Sequence, residues 1–403
     1  MKPFARLRGG LDRDVALLCL VIFVADVVAG VIAPTFSLFA RDLGLSLAAL
    51  GVLNTLGGAT QFLASAPLGV LSDRVGRTRV ITGGLLAFAV TLGVYAAAPG
   101  AGLLVVGRML QGVAVIASFQ IGAAYLGDIT TAGRRAVAFG SYTTAMGLGF
   151  TVGPLLGGIV AGQWGTRASY GVGAGIGLAG ALLAWRVLRD PVEQRASRSH
   201  ASLLDGLRLS LRRRELLLVS FGNLLVSLTF AGAVSTFFPI YAKNAGLTEA
   251  TIGTLFAVRA FVSALGRLPN SIVTRALGDQ PVLFGALGLQ MLVMFGIART
   301  HALLPLAALL ALEGLAFGAY LVAGQTWVAD HTETAWRGAA VGLYSSFGSL
   351  GGIAAPLAFG LLANNWGVRS VFVINGWLLA VGLMLSVVGS LAIGRATRRQ
   401  VVA

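Results

Sequence analysis

The chain has 403 residues, of which 56% are hydrophobic and 11% are charged. A soluble domain of ordinary composition carries about 25% charged residues, so this composition excludes a soluble globular protein. The formal net charge of +15 alone would suit a nucleic-acid-binding protein. The basic residues lie in short segments between long apolar runs, however, so we expect the lipid bilayer and not nucleic acid as the partner.

Twelve apolar runs are long enough to cross a membrane, because about 18 apolar residues suffice. The first contains Asp26 and Pro34 and is too long for the core of a signal peptide, so we interpret it as a retained helix. The predicted spans lie near 15–39, 47–70, 80–98, 102–127, 137–161, 168–187, 216–241, 249–270, 281–298, 303–328, 338–363 and 370–392. The predicted fold class is an all-α membrane protein with twelve transmembrane helices.

Basic residues are concentrated in alternate connections between these runs. Clusters precede the first run, follow the second and fourth, fill the middle segment and close the chain, whereas the other connections hold single basic residues such as Arg41 and Arg369. This pattern is typical of the positive-inside rule and places both termini in the cytoplasm. We expect a multi-pass protein of the cell (inner) membrane whose basic flanks contact anionic headgroups.

The two halves of the chain repeat one another at a spacing of 202 positions, without a gap. Asp330 follows Asp128 at this spacing, and Pro356 follows Pro154. Repeated helix bundles are typical of secondary transporters, whose substrate site lies where the repeats meet. The repeat therefore predicts two pseudo-symmetric six-helix bundles and a transport function.

The boundaries of these bundles follow from the polar middle of the chain. Residues 1–187 form the predicted N-terminal bundle, 188–214 a cytoplasmic linker and 215–403 the C-terminal bundle. Within the linker, Asp205 to Arg214 are predicted to form an amphipathic helix on the inner membrane surface.

The sequence offers no catalytic or metal-binding set. Cys19 is the single cysteine, and the three histidines have no ligand spacing. Gly175-x-Gly177-x-x-Gly180 matches a dinucleotide fingerprint by its letters, but it lies inside a spanning run with no strand before it. We therefore expect no enzyme activity, no metal and no cofactor.

Three motifs carry a resemblance to a known family. They are Gly69-Val70-Leu71-Ser72-Asp73-Arg74-Val75-Gly76-Arg77-Thr78-Arg79 after the second helix, Arg108-Met109-Leu110-Gln111-Gly112 in the fourth, and Gly149 followed by Gly153-Pro154-Leu155-Leu156-Gly157-Gly158 in the fifth. With the charged loops at Asp128 and Asp330, this pattern resembles the major facilitator superfamily. The fifth-helix motif resembles that of the twelve-helix drug–proton antiporters within it.

The resemblance implies a gating role for the loop residues Gly69, Asp73, Arg74, Gly76 and Arg77. Asp73, paired with an arginine or a helix N-terminus, would latch the two halves together on the cytoplasmic side; the alternative is a weak surface ion pair. The second-half copy of the loop has decayed, because Arg275 stands where the repeat would place an aspartate. The fifth-helix glycines are predicted to be packing seams before anything else.

Four ionisable residues fall well inside the predicted spans: Asp26, Arg108, Arg259 and Glu313. Each costs up to about 2.5–3.5 kcal/mol at the bilayer centre, and none has a like-charged counterpart in the other half. Asp26 lies about eleven residues from the inner end of its helix, which at about 1.5 Å per residue is about 16 Å deep. Charges present in only one half are what we expect if a functional site evolved after the scaffold was duplicated.

Burial of a carboxyl group favours its protonated form, and a nearby cation favours its charged form. A proton and a cationic substrate can therefore compete for one carboxylate. The hypothesis gives Asp26 and Glu313 the proton-coupling or cation-binding role and gives Arg108 a tuning or relay role. The alternative for these residues and for Arg259 is a fixed ion pair that holds helices together.

Other polar and aromatic residues in the spans are candidates for a substrate cavity. Asn54 and Gln61 belong to a polar stripe on the second helix, and Phe317 and Phe230 offer aromatic surface for a lipophilic cation. The full set of cavity candidates is Asn54, Gln61, Gln111, Asn223, Arg259, Phe317 and Tyr320.

The preferred function is proton-coupled efflux of small amphipathic or drug-like molecules by alternating access. Proton-coupled transport of a polar metabolite, such as a sugar or an organic anion bound by Arg108 and Arg259, is the alternative within transport. A membrane receptor or sensor that binds a ligand without flux is the alternative from another class. We expect a monomer, and H⁺ rather than Na⁺ as the coupling ion.

Overall fold

A computed structural model describes residues 12–190, 203–267, 270–333 and 336–402. Among these residues, twelve helices are long and apolar enough to cross a membrane. They are α1 Arg13–Asp42, α2 Leu47–Val75, α3 Arg77–Ala97, α4 Ala101–Ile129, α5 Val137–Trp164, α6 Thr166–Val187, α7 Arg214–Asn244, α8 Glu249–Arg267, α9 Asp279–Ile297, α10 Leu303–Asp330, α11 Arg337–Trp366 and α12 Val368–Ala392. The twelve predicted spans are confirmed, and each end lies within five residues of its predicted position.

Two shorter helices lie outside the spans. Leu203–Arg212 occupies part of the linker and begins two residues before the amphipathic helix predicted there. Asn270–Leu277 follows α8, so the eighth span ends at Arg267 rather than near residue 270. Residues 268 and 269 lie outside the described residues.

Glycines with positive φ end or begin several of these helices. Only glycines have positive φ among the described residues, since the left-handed region strains residues that carry a Cβ atom. They form three pairs spaced by 202 positions: Gly44 with Gly246, Gly76 with Gly278, and Gly165 with Gly367. The sequence repeat is therefore also a repeat of backbone conformation.

An arginine after α5 and one after α11 repeat the same hydrogen bond. Arg167 donates from Nη1 to the carbonyl oxygen of Ala96 at 3.2 Å, and Arg369 donates from Nε to that of Ala298 at 2.8 Å. Both acceptors lie at the C-terminal end of a helix, where backbone carbonyls lack intrahelical partners. Each repeat thus ties its sixth helix to the end of its third in the same way.

By its contacts the chain divides into two compact units. The first comprises Met1–Ile32 and Thr60–Ala196, and the second comprises Ala33–Ala59 and Ser197–Ala403. This division runs through α1 and α2 and not only through the linker. The bundle boundaries at 1–187 and 215–403 were inferred from the sequence repeat, and they stay a prediction.

The first half of α2 belongs to the second unit because it packs closely on α11. A Cβ atom added to Gly360 would lie 3.0 Å from the Cα atom of Gly51, so only glycines allow this approach. Thr55 donates its hydroxyl to the carbonyl oxygen of Ile353 at 2.7 Å. Backbone contact and a partly buried hydrogen bond together fix this part of α2.

Candidate functional site

The fifth-helix glycines form the contact between α1 and α5 in the first unit. A Cβ atom added to Gly149 would lie 2.8 Å from the Cβ atom of Asp26, and one added to Gly153 would lie 2.7 Å from the Cα atom of Gly30. Gly157 continues the same seam one turn later. The predicted packing seam is present, and Asp26 lies on it.

Pro154 and Gly158 are buried on the same helix. Pro154 lies inside α5, and its Cδ atom would lie 2.7 Å from a Cβ atom added to Gly30. A proline removes one helical hydrogen bond, so this seam combines close backbone approach with a local break in the helix ladder.

Gly153→Ala should destabilise the protein by about 1–3 kcal/mol, the usual cost of overpacking. The added methyl group meets backbone atoms of α1, which cannot rotate away as a side chain would. Thermal unfolding in detergent measures the effect. Gly140→Ala in the same helix is the control, because a Cβ atom there has nothing within 4 Å, and equal unfolding midpoints for the two variants would contradict the seam.

Asp26 is a buried carboxyl group in the middle of α1, with 7% of its surface exposed. It lies on the face of α1 that meets Gly149, so no side chain of α5 separates it from that helix backbone. The position matches the sequence expectation of an acid held well inside a span.

Arg108 lies on α4 and is partly buried. Its Nη1 atom donates to the side-chain oxygen of Gln111 at 2.6 Å, and the hydroxyl of Tyr95 donates to that same oxygen at 3.2 Å. Gly107 makes room for the Tyr95 ring, because a Cβ atom there would overlap it. Arg108 and Gln111 were predicted from sequence, whereas Tyr95 was missed; its signal is a phenol inside the third span.

Glu313 of α10 and Arg259 of α8 form a buried salt bridge in the second unit. Their exposed fractions are 0% and 2%. Gln290 of α9 donates from Nε2 to the other Glu313 oxygen at 3.4 Å. Three helices therefore meet at one carboxylate, and two of the predicted site residues, Glu313 and Arg259, are paired with each other.

Two phenylalanines pack on the Arg259 guanidinium. Its carbon lies 4.4 Å from the ring centroid of Phe230 and 4.9 Å from that of Phe317, within the range of a cation–π interaction. The two rings lie 5.0 Å apart at 44°. Phe230 is placed there by a π-helical segment, Thr229–Phe237, inside α7, and such segments are often found at functional sites.

The Arg259–Glu313 cluster leaves two polar atoms without a hydrogen-bond partner among the described residues. They are Nη2 of Arg259 and Oε1 of Gln290. Gln290 was missed from sequence, although it is the one amide inside the apolar ninth run. A buried donor or acceptor that makes no hydrogen bond costs free energy. The hydrogen-bonding capacity of this cluster is therefore not fully used.

The predicted gating loop forms its ion pairs inside the first unit. Arg77 pairs with Asp73 at 3.2 Å and with Asp128 at the end of α4. The side chain of Arg77 is 13% exposed and that of Asp73 is 53% exposed, so the Arg77–Asp128 pair is the better shielded of the two. Gly69 and Arg74 lie in the same part of α2, and a latch by Asp73 between the halves stays a prediction.

Gly76 of this loop is required by its conformation and by a neighbour. Its φ is 101°, and a Cβ atom there would overlap the Asp190 carboxylate. Asp190 accepts from the backbone N–H of Thr78 at 3.0 Å and from its hydroxyl at 2.8 Å. A residue beyond α6 thus caps the N-terminus of α3, a contact that sequence alone did not suggest.

Asp190→Ala should lower the unfolding free energy by about 1 kcal/mol, the typical cost of losing a side-chain acceptor at a helix N-terminus. Asp190→Asn is the matched control, since its side-chain oxygen still accepts from Thr78. Thermal unfolding of both variants in detergent measures the difference. A loss of equal size in both would mean that the capping hydrogen bond contributes nothing.

The remaining cavity candidates make hydrogen bonds that tie helices together. Asn54 donates to the Thr236 hydroxyl at 3.1 Å. Further, Asn223 donates to the carbonyl oxygen of Tyr344 at 2.9 Å, and Tyr320 to that of Val219 at 2.9 Å. Gln61 is partly exposed on α2.

The sequence model of the Major Facilitator Superfamily matches residues 18–298 and 219–399. The chain belongs to this superfamily. It is therefore a multi-pass membrane transporter of small molecules and not an enzyme. The resemblance stated from the motifs is confirmed.

Relatives within the superfamily cover nearly the whole chain. Multidrug resistance protein 2 of Bacillus subtilis is 27% identical over 383 residues, which are 91% of this chain and 92% of that protein. Multidrug resistance protein MdtG of Yersinia enterocolitica is 25% identical over 391 residues, 93% and 92% of the two chains. A crystal structure of the nucleoside transporter NupG has a TM-score of 0.79 at 17% identity, covers 94% of this chain and 99% of its own, and shows the shared fold.

Proposed function

We propose that this superfamily member exports small amphipathic or drug-like molecules in exchange for protons, by alternating access. The burial of Asp26 on the seam between α1 and α5 carries the proposal. The names of the relatives at 27% and 25% identity, both multidrug resistance proteins, support the same substrate class.

Asp26 supplies the coupling chemistry in this proposal. A carboxyl group buried in a span is favoured in its protonated form, whereas a cation beside it favours the charged form. Binding of a cationic substrate near Asp26 then releases a proton, and binding of a proton releases the substrate. One carboxyl group that cannot hold both at once is sufficient for antiport.

Glu313 is the second carboxyl group in the proposal, and its pairing with Arg259 gives it a different part. Glu313 already holds a cationic group, Arg259, so we assign a cation-binding role to Glu313 and the proton-coupling role to Asp26. Arg108 donates a hydrogen bond to Gln111. Its proposed role is the tuning or relay role given above, in which its positive charge acts on the embedded carboxyl groups.

Placement in the membrane follows from the charge pattern. Basic clusters flank alternate ends of the spans, so we propose that both termini are cytoplasmic and that the protein resides in the cell (inner) membrane. We propose a monomer as the working form, with H⁺ as the coupling ion.

Uptake or export of an organic anion is the second candidate function. It requires an arginine that is open to the substrate. Arg259 is paired with Glu313 and stacked on two rings, an arrangement that favours cationic or neutral substrates over anionic ones.

Flux in proteoliposomes tests the proposal. Vesicles with an imposed pH gradient would be offered a lipophilic cation (ethidium), a sugar and an organic anion, with an imposed Na⁺ gradient as the parallel arm. We expect pH-driven flux of the cation alone. Flux driven only by Na⁺, or flux of the anion or sugar alone, would overturn the function, and saturable binding without flux would favour a receptor.

A further inference from the structure

The surroundings of Arg259 have the composition of a binding site for an organic cation. A carboxylate, an amide and two aromatic rings converge on one guanidinium group: Glu313, Gln290, Phe230 and Phe317. A carboxylate with aromatic faces is the standard recognition surface for guanidinium, amidinium and quaternary ammonium ligands. Here the occupant is a side chain of the protein itself.

A like-for-like exchange at this position avoids the cost of an unpaired buried carboxylate. If Arg259 left without replacement, Glu313 would remain buried and charged at 0% exposure, which is strongly unfavourable. A substrate cation that replaces the guanidinium keeps Glu313 paired. The exchange then requires the displaced guanidinium to reach water, which a long arginine side chain achieves by extending while its backbone stays in α8.

We propose that Arg259 is an internal ligand that occupies the site of the substrate's cationic group. The substrate class is a compact delocalised cation on an apolar body, such as an amidinium or guanidinium compound. The inference rests on the proposed function, because it names the cargo that the exporter would carry. Glu313 neutralises the cation, and the Phe230 and Phe317 rings supply the cation–π contacts that Arg259 makes in the free protein.

The local packing at Arg259 leaves little room for a wide cationic group. Gly314 of α10 lies directly against the backbone of Arg259, where a Cβ atom would overlap the carbonyl oxygen. The two helices are thus held close together at Arg259. A bulky tetrahedral cation would have to separate α8 from α10.

Equilibrium binding to the purified protein in detergent tests the proposal without any gradient. Phenylguanidinium is the probe, and phenylurea is its neutral control of the same shape. In Arg259→Ala the resident cation is absent, so phenylguanidinium should bind at least about tenfold more tightly than to wild type, whereas the affinity for phenylurea should not change. Calorimetry gives both dissociation constants.

The double variant Arg259→Ala/Glu313→Gln should lose the gain, because the neutralising carboxylate is gone. Where Arg259→Ala does not fold, Arg259→Lys carries the test. Its ammonium group lacks the delocalised plane of the guanidinium and should compete less well, so phenylguanidinium should bind more tightly than to wild type, by a smaller factor than expected for alanine. Equal affinities for cation and urea, or a gain that survives loss of Glu313, would overturn the inference. A failure of the export function would appear separately, as wild-type vesicles that show no pH-driven flux.

Discussion

Asp26→Asn should abolish pH-driven transport while the protein remains folded and inserted. An amide has nearly the shape of a carboxyl group but cannot take up a proton, so the exchange of proton for substrate loses its carrier. We expect at least about a 100-fold fall in flux under an imposed pH gradient, the scale on which acid–base groups act in enzymes. Substrate counterflow without a gradient should persist, because it needs no proton, but it should need a higher concentration of a cationic substrate, because the amide carries no charge.

The control for this variant is Asp14→Asn, which changes an exposed carboxylate in the first turn of the same helix. We expect flux close to wild type there. Asp26→Asn vesicles with wild-type pH-driven flux would contradict the assignment. An unfolding midpoint equal to that of wild type in detergent shows that the variant is folded, so that a lost flux is assigned to the missing carboxyl group.

Arg259→Met should lower the unfolding free energy by about 3–5 kcal/mol, and Glu313→Gln by a similar amount. Each change leaves one buried charge without its partner, and that is the costly event rather than the loss of attraction itself. The double variant should therefore be more stable than the sum of the single effects predicts. Unfolding of all four proteins in mixed detergent micelles closes the double-mutant cycle.

The pair Lys243 and Glu249 provides a matched control for this cycle. Its atoms lie 2.6 Å apart, but the side chains are 47% and 25% exposed. Water already stabilises both charges, so Lys243→Met and Glu249→Gln should each cost less than about 1 kcal/mol. Additive effects at Arg259 and Glu313 would mean that the buried pair does not act as a unit.

The large-scale fold was predictable because its determinants are local in the sequence. An apolar run of sufficient length forms a spanning helix wherever it occurs, since lipid offers the backbone no hydrogen bonds. The ends of the runs are also set locally, by single glycines that adopt positive φ at 44, 76 and 165. Glycines with positive φ recur 202 positions later, at the corresponding helix ends of the second half. The superfamily motifs are likewise recognisable from short runs of consecutive residues.

The partners of the embedded charges could not be read in this way. Glu313 was predicted as a site residue, but its pairing with Arg259 and Gln290 depends on which faces of α8, α9 and α10 meet. Side chains that are 54 and 23 positions apart are brought together only by helix packing.

Sequence alone determined twelve spans, a duplicated scaffold, the superfamily and the positions of four embedded charges. Tertiary structure decided which of those charges neutralise each other, why Gly149 and Gly153 are small, and that Asp190 caps α3. The physical reason is that hydropathy and backbone conformation act within a few residues. A buried charge, by contrast, is stabilised by whatever the packed neighbouring helices place beside it.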